Sequence, residues 1–169
     1  MKNIILILLL FVSCKNHSAD KIISEDELNE KLTKMNILMV GNESKRIDEF
    51  INRHSFNTIR TGSGLRYQIY THGEGEKAKN NEQVLFNCNV FLLDGKKCYS
   101  TDTSGPLNIK LGFGEQVSGL EEALLLMVPG DKAHIILPAH LAYGMTGDQA
   151  NIPPASALYY DVELLKLIK

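Results

Sequence analysis

The sequence predicts an α+β fold, because segments with two different hydrophobic periods follow one another along the chain. Near the N-terminus apolar residues recur at helical spacing, whereas from Leu65 onward they alternate with polar ones. Alternation is typical of half-buried antiparallel strands. One helical segment near residue 120 interrupts the alternating ones. Strands with a single helix between them, preceded by a helical segment, indicate an α+β domain over residues 62–169.

The alternating segments predict five strands. Their apolar positions all repeat with period two, and they cover residues 65–69, 84–92, 107–111, 133–137 and 158–164. The interrupting helix is predicted to begin at Ser118, which forms a capping box with Glu121. Its buried face has three members, Ala123, Leu124 and Met127. Pro129-Gly130 is predicted to end it.

The segment 22–57 predicts two helices ahead of this domain. Ser24 and Glu27 have the spacing of a capping box, and three apolar residues follow at helical spacing, namely Leu28, Leu32 and Met35. Gly41 is predicted to end the first helix. Asn42 or Ser44 is predicted to cap the second, whose apolar stripe consists of Ile47, Phe50 and Ile51.

Residues 1–13 are predicted to be a signal peptide. Lys2 precedes an apolar run over residues 4–12, which is too short to span a bilayer but suits a signal-peptide core. The run ends in Phe-Val-Ser-Cys, which resembles the signal of bacterial lipoproteins, where the cysteine, here Cys14, is lipidated and becomes the mature N-terminus. The alternative is an ordinary secretory signal whose cleavage site contains a cysteine.

The lipoprotein resemblance implies a protein tethered to a membrane through its N-terminus. Several acyl chains on Cys14 would hold it firmly, and the polar residues 14–21 would form a spacer. Lys15 stands where lipoproteins retained in an inner membrane commonly carry Asp. The expected location is therefore the cell envelope, with the outer membrane favoured over the inner.

Composition and motifs exclude several function classes. The chain of 169 residues has a formal net charge of -2, which gives no support to a nucleic-acid partner. Its five histidines are scattered, and no cluster of Cys and His residues has metal-ligand spacing. No nucleophile elbow, phosphate-binding loop or dinucleotide fingerprint is present. We therefore expect neither a metal nor a cofactor.

Six short motifs follow one another in the second part of the chain. They are S-G-L (63–65), L-L-D-G (92–95), S-G-L-E-E-A-L (118–124), L-A-Y-G (141–144), I-P-P-A-S-A-L (152–158) and D-V-E-L (161–164). Their order and spacing resemble the FKBP-type peptidyl-prolyl cis/trans isomerases. That resemblance implies a curved antiparallel β-sheet wrapped around one short helix, and isomerisation of X–Pro bonds. Details such as C-Y-S (98–100) are similar to the lipoprotein branch of Bacteroidetes, which includes gliding-motility-associated isomerases.

The resemblance assigns catalytic roles to three residues. The tyrosine of A-Y-G, Tyr143, would donate its hydroxyl to a substrate carbonyl. Val117 would supply a backbone N–H, and Ile152 an apolar wall. Tyr160 stands where the last strand of the family usually carries Phe.

Other positions of the expected substrate-binding pocket depart from the family pattern. Cys88 replaces a Tyr, Cys98 a Phe, Tyr99 an Asp and Leu120 a Trp, and Leu107 stands at a position that is often aromatic. The exchanges leave a wider and less aromatic pocket, so the expected activity is weak. Large-to-small exchanges in a core cost about 2–5 kcal/mol each unless neighbours refill the space, and Tyr99 is a candidate for refilling it.

The two cysteines Cys88 and Cys98 lie on consecutive strands joined at Asp94-Gly95. A strict two-residue turn would place them on opposite faces of the hairpin. The family resemblance instead places both in the pocket, which requires a longer loop or a bulge. In either case we expect two free thiols.

Three functions remain open at this point. The first is a membrane-tethered isomerase that assists folding of proline-containing envelope proteins. The second is a non-catalytic client-binding chaperone, and the third a structural component of an envelope complex. In related isomerases, segments before the catalytic domain often dimerise or bind clients, which implies a homodimer through residues 22–54. The alternative is that these helices only pack on the domain.

Overall fold

The structure is a computed structural model that describes residues 24–168. The predicted signal peptide, Cys14 and the spacer lie outside the described residues. The chain divides into two compact units, Met1–Asn36 and Ile37–Lys169. Among the helices of residues 24–168, none combines the length and the apolar character that crossing a membrane requires.

A single helix, α1 (Glu25–His54, 30 residues), stands where two were predicted. Gly41 lies inside it, because one interior glycine costs only about 1 kcal/mol relative to alanine and good helix formers flank it. Ser44 does not cap a second helix; its Oγ accepts a hydrogen bond from Arg66 Nη2 at 2.8 Å instead. The predicted cap at Ser24 is confirmed, since its Oγ accepts from the backbone N–H of Glu27 at 3.2 Å.

Residues 24–168 contain seven strands: β1 Ile59–Arg60, β2 Arg66–Thr71, β3 Gln83–Leu92, β4 Lys97–Ser100, β5 Leu107–Lys110, β6 Lys132–Leu137 and β7 Leu158–Ile168. They form one antiparallel sheet in the order β1-β2-β6-β7-β3-β4, with β5 paired to β3. All five predicted strands are confirmed. Two short strands, β1 and β4, have too few residues to show a period, but the hairpin prediction had already placed Cys98, a residue of β4, on a strand.

Two further helices and one 3₁₀ turn interrupt the strands: α2 (Thr101–Ser104), α3 (Ser118–Leu124) and the turn Ala139–Leu141. The predicted boundaries of α3 need correction. Val117, not Ser118, is its N-cap and makes no side-chain cap bond, and the helix ends at Leu124, ahead of Pro129-Gly130. Ser118 has no capping role because it is the first helical residue, and the backbone N–H of Glu121, which a capping serine would bond, donates to the carbonyl of Val117 at 3.2 Å.

The sheet has a buried face that forms the main core and a second face that is covered locally by α1. On one face α3 packs Leu120, Ala123 and Leu124 into a core with the inward-facing residues of β3, β6 and β7. On the other face Ile47 and Phe50 of α1 pack with Ile136 of β6. Burying a side chain of this size contributes about 1.5–3 kcal/mol. The stripe predicted for the second helix therefore attaches the C-terminal part of α1 to the sheet.

Candidate active site

A cavity of about 350 Å³ opens on the core side of the sheet, beside α2. Side chains from β3, β4, β5, β7, α2 and two loops surround it: Cys88, Val90, Tyr99, Ser100, Thr101, Ser104, Leu107, Gln116, Tyr143 and Tyr160. Five of these were predicted as site residues, namely Cys88, Tyr99, Leu107, Tyr143 and Tyr160. The structure therefore brings together residues that lie up to 72 positions apart, from Cys88 to Tyr160.

The four other predicted site residues are not among the side chains that line the cavity. Leu120 and Ile152 are buried in the core cluster that contains Cys88 and Tyr160, and Val117 packs against that cluster. The Cys98 thiol is directed toward the backbone carbonyl of Asn151 at 3.6 Å. All four belong to the core cluster or pack against it, and none contributes to the lining.

Tyr143 and Tyr160 place two phenol groups together at the cavity. Burial raises the pKa of Tyr143, nearby Tyr99 and Asp148 raise it further, and a hydrogen bond with Tyr160 partly opposes them. Burial also raises the pKa of Tyr160, with the neighbouring Tyr143 adding to the effect. Both hydroxyls therefore stay protonated at neutral pH, so that Tyr143 can donate a hydrogen bond to a carbonyl in the cavity.

Cys88 lines the cavity as a neutral thiol. Its side chain is buried, and that burial raises the pKa of the thiol to about 11. A nucleophilic cysteine needs a lowered pKa, because the thiolate is the reactive form. Cys88 therefore supplies a small apolar surface in the place of a larger ring.

The β3–β4 hairpin contains the predicted irregularity. The register of the pair shifts between Val90 and Phe91, where β3 passes from pairing with Tyr99 to pairing with Lys97. This bulge takes Cys98 out of the regular ladder. Both cysteines are free, but Cys98 is only half-buried and its thiol is not part of the cavity lining, which corrects the expectation that both would line it.

Glu121 is a residue of the site region whose role the sequence analysis assigned wrongly. Its buried carboxylate accepts hydrogen bonds from the backbone N–H of Gly112 at 2.9 Å and of Gln116 at 3.3 Å. It therefore fixes the turn between β5 and α3 instead of completing a capping box. Gln116, which lines the cavity, and Val117 both lie on this turn.

A polar side of the cavity was not anticipated. Ser100, Thr101 and Ser104 come from β4 and α2. Thr101 Oγ1 accepts from the backbone N–H of Cys88 at 2.9 Å, and Ser100 Oγ accepts from the N–H of Asp102 at 3.1 Å, which caps α2. The run S-T-D-T-S at residues 100–104 could have indicated a short capped helix or turn here, since such residues favour helix caps and turns.

The arrangement can hold an apolar group and donate hydrogen bonds to a carbonyl next to that group. Among residues 24–168, no three His, Cys, Asp or Glu side chains cluster so that they could hold a metal ion. Every buried side-chain nitrogen or oxygen in that part of the chain has a hydrogen-bond partner. The geometry is therefore that of a preorganised binding cavity with neutral donors.

Comparison with known proteins decides the family. The sequence profile of the FKBP-type peptidyl-prolyl cis-trans isomerases matches residues 74–165, a range that contains all the lining residues. The chain belongs to this family.

Two curated members of the family illustrate the extent of the likeness. Peptidyl-prolyl cis-trans isomerase FKBP11 of Bos taurus is 44% identical over 78 residues, which are 46% of this chain and 38% of that protein. FKBP-type peptidyl-prolyl cis-trans isomerase FkpA of Escherichia coli K12 is 38% identical over 109 residues, which are 63% of this chain and 39% of that protein. The chain thus spans well under half of either relative.

Solved structures of the family share the fold. The crystal structure of FkpA from Escherichia coli matches with a TM-score of 0.63 and 28% identity, covering 86% of this chain and 74% of that one. The crystal structure of AtFKBP13 matches with a TM-score of 0.64 and 28% identity, covering 66% of this chain and 99% of that one. The antiparallel sheet with its helices is thus an FKBP-like fold.

Proposed function

We propose that this protein is a peptidyl-prolyl cis/trans isomerase that acts on X–Pro bonds of polypeptide clients. The observation that carries the proposal is the Tyr143 hydroxyl at a largely apolar cavity, inside the segment that matches the family. Rotation about a peptide bond is opposed by a barrier of about 18–20 kcal/mol, because conjugation across C–N is lost. Catalysis therefore requires tighter binding of the twisted amide than of the planar one.

The cavity can favour the twisted amide over the planar one in two ways. Val90, Leu107 and the ring of Tyr160 form apolar surroundings for a proline ring, and these disfavour the charge-separated planar amide. The neutral Tyr143 hydroxyl donates to a client carbonyl and holds the twisted geometry. Both are in place before a client binds, so that little reorganisation accompanies the reaction.

The activity we propose is weak. Cys88 leaves the space of a ring unfilled, and a cavity of about 350 Å³ remains although Tyr99 lines it. A client's proline is then held with fewer contacts, so the cavity binds the twisted amide only slightly more tightly than the planar one. These departures are also what favours the alternative, a non-catalytic client-binding module on the same fold.

A refolding experiment separates the two functions. A client whose slow phase is limited by prolyl isomerisation refolds in tens of seconds at 25 °C, on the order of 10–100 s. An isomerase shortens that phase at catalytic ratios, whereas a pure chaperone raises the yield without changing the rate. An unchanged slow phase together with a raised yield would replace the isomerase proposal by the chaperone.

Lipidation of Cys14, a place in the cell envelope and membership of the Bacteroidetes lipoprotein branch complete the proposal. The support is the apolar run that ends in Phe-Val-Ser-Cys. The Cys14→Ser variant should lose its membrane association on cell fractionation and the mass of its acyl chains. Membrane association and mass that both stay unchanged in this variant would refute the anchor. Separation of the two membranes tests the outer-membrane assignment.

A homodimer through residues 22–54 is part of the same proposal. Seven apolar side chains of this region are 43–66% exposed: Leu28, Leu32, Met35, Ile37, Leu38, Met39 and Val40. Four of them are consecutive, so the helical turn at residues 37–40 is apolar on all sides, and an apolar surface of this kind is normally buried. A second copy of the helix offers a matching surface.

Sedimentation of the chain tests the dimer. The double variant Ile37→Glu/Leu38→Lys should shift the wild-type dimer to a monomer without loss of helix content. A wild-type protein that sediments as a monomer at micromolar concentration would refute the dimer and leave clients as the remaining occupants of this surface.

A further inference from the structure

The loop between the 3₁₀ turn and β7 is organised around one carboxylate. Asp148 Oδ1 accepts from the backbone N–H of Ile152 at 2.7 Å and of Ala150 at 2.9 Å. The backbone N–H of Asp148 donates to the carbonyl of Ile152 at 3.1 Å. Gly147 has a φ of +67°, and a Cβ there would lie 2.3 Å from the Ile152 carbonyl oxygen. The loop therefore has little freedom to change its path.

The second carboxylate oxygen bonds to a different element. Asp148 Oδ2 accepts the hydroxyl of Tyr99, which lies on β4 and lines the cavity. The adjacent Cys98 directs its thiol to the carbonyl of Asn151 in the same loop at 3.6 Å. Two consecutive residues of β4 thus hold the loop against the hairpin, on the side of the cavity where Tyr143 lies.

We propose that Tyr99 and Asp148 form a clamp that positions the cavity wall for isomerisation, with Tyr99 and Asp148 as positioning residues. The proposal rests on the proposed function. The clamp joins β4 to the loop that carries Ile152, whose side chain is buried in the core cluster that also contains the cavity-lining Cys88 and Tyr160. With the clamp closed, the cavity has its shape before a client binds. The free energy of ordering its wall therefore does not weaken client binding.

The ionisation of the pair agrees with this role. Partial burial acts to raise the pKa of Asp148, but the bonds from Tyr99 and from the backbone N–H groups of Ile152 and Ala150 outweigh it and lower the pKa to about 2. The hydrogen bond to Asp148 raises the pKa of Tyr99. The carboxylate therefore accepts, and the phenol donates, throughout the neutral range.

The chain contains a matched control for Tyr99. The hydroxyl of Tyr70 on β2 also donates to a carboxylate, Asp161 Oδ1, at 2.8 Å. Tyr70 is 41% exposed and Tyr99 38%. Tyr70 does not line the cavity. Replacing either tyrosine by phenylalanine removes one hydroxyl–carboxylate bond at nearly equal exposure.

The test measures isomerisation kinetics of the full chain and its Tyr99→Phe, Asp148→Ala and Tyr70→Phe variants on one proline peptide. The result expected for Tyr99→Phe is a fall in kcat/KM of about three- to tenfold, the size of one hydrogen bond, mainly through a higher KM. Tyr70→Phe should match the wild type. The double variant Tyr99→Phe/Asp148→Ala should be no slower than Asp148→Ala, because both changes open the same clamp. Wild-type kinetics in Tyr99→Phe, or an equal loss in Tyr70→Phe, would overturn the clamp.

Amide hydrogen exchange tests the clamp independently of activity. Tyr99→Phe should speed exchange at Ala150 and Ile152, whereas Tyr70→Phe should not. If the wild type has no isomerase activity, the proposed function fails, and the exchange result alone decides whether the clamp exists. Unchanged protection of both amides in Tyr99→Phe would overturn it.

Discussion

Arg66 and Asp48 form an ion pair in which Nη2 lies 2.9 Å from Oδ1, joining the first residue of β2 to α1. The arginine side chain is only 5% exposed, whereas that of Asp48 is 56% exposed. Arg66 also donates to Ser44 Oγ at 2.8 Å and to the carbonyl of Gly64 at 3.2 Å. A nearly buried cation thus has three acceptors, two of them on α1.

Asp48→Asn should lower the free energy of unfolding by about 1 kcal/mol, because the pair loses its charge while Ser44 and Gly64 still accept from Arg66. Denaturant titration measures the change. Asp102→Asn is the matched control, since Asp102 pairs with Lys97 at a distance of 3.7 Å with both side chains exposed, and it should change stability by less than about 0.5 kcal/mol. Equal effects of the two variants would contradict a structural role of the Arg66–Asp48 pair.

Glu121→Gln should destabilise the turn before α3. The carboxylate offers one oxygen to Gly112 and the other to Gln116, but an amide has only one oxygen, so one N–H group would face the amide nitrogen. An unsatisfied buried donor costs about 1–3 kcal/mol. Thermal or denaturant unfolding measures the loss, and Glu115→Gln, at an exposed position of the same turn, should leave stability unchanged. Stability that is also unchanged in Glu121→Gln would show that the turn does not depend on this carboxylate.

His134 should make stability fall on acidification. Its ring stacks between Phe56 and Tyr70, with centroids 4.1 and 4.2 Å away, and Tyr159 Oη lies 2.9 Å from Nδ1. Burial lowers the pKa of His134; Asp161 opposes this effect and His54 adds to it. The unfolded chain therefore binds the proton more readily, so stability is lost as pH falls from 6.5, the ordinary value, through the lower folded pKa.

Urea titrations at pH values of about 7.5 and 5.5 test this dependence. His134→Phe keeps an aromatic ring but cannot titrate, so the fall in stability between the two pH values should be smaller in this variant than in the wild type. His72→Gln, at an exposed position, should retain the wild-type dependence. An unchanged pH dependence in His134→Phe would contradict the assignment to His134.

The sheet could be predicted because alternation reports directly which residues face the core. The long strands β3 and β7 have enough residues to show it, whereas the four residues of β4 include a bulge and do not. The continuity of α1 through Gly41 could not be predicted, because a local stop signal competes with packing of Ile47 and Phe50 on the far face of the sheet. Propensity carries no information about that contact.

Only those residues of the site that lie in or next to a family motif could be predicted from the sequence. Tyr143 lies in the L-A-Y-G motif and Tyr160 directly precedes D-V-E-L, and both line the cavity. The role of Tyr99 depends on a bond to Asp148, in a loop distant in sequence. The role of Glu121 depends on a bond from the backbone N–H of Gly112. Spacing does not reveal such bonds, because they form only after the turn and the loop have their folded paths.

Isomerisation by the wild-type chain and by Tyr143→Phe, measured in a protease-coupled assay over peptides that differ in the residue before proline, tests the central claim most directly. The account predicts a rate above the uncatalysed one, a preference for an apolar residue before proline, and a loss of about two- to tenfold in Tyr143→Phe, the equivalent of one net hydrogen bond. A wild-type rate equal to that of buffer, with peptide binding intact, would contradict it.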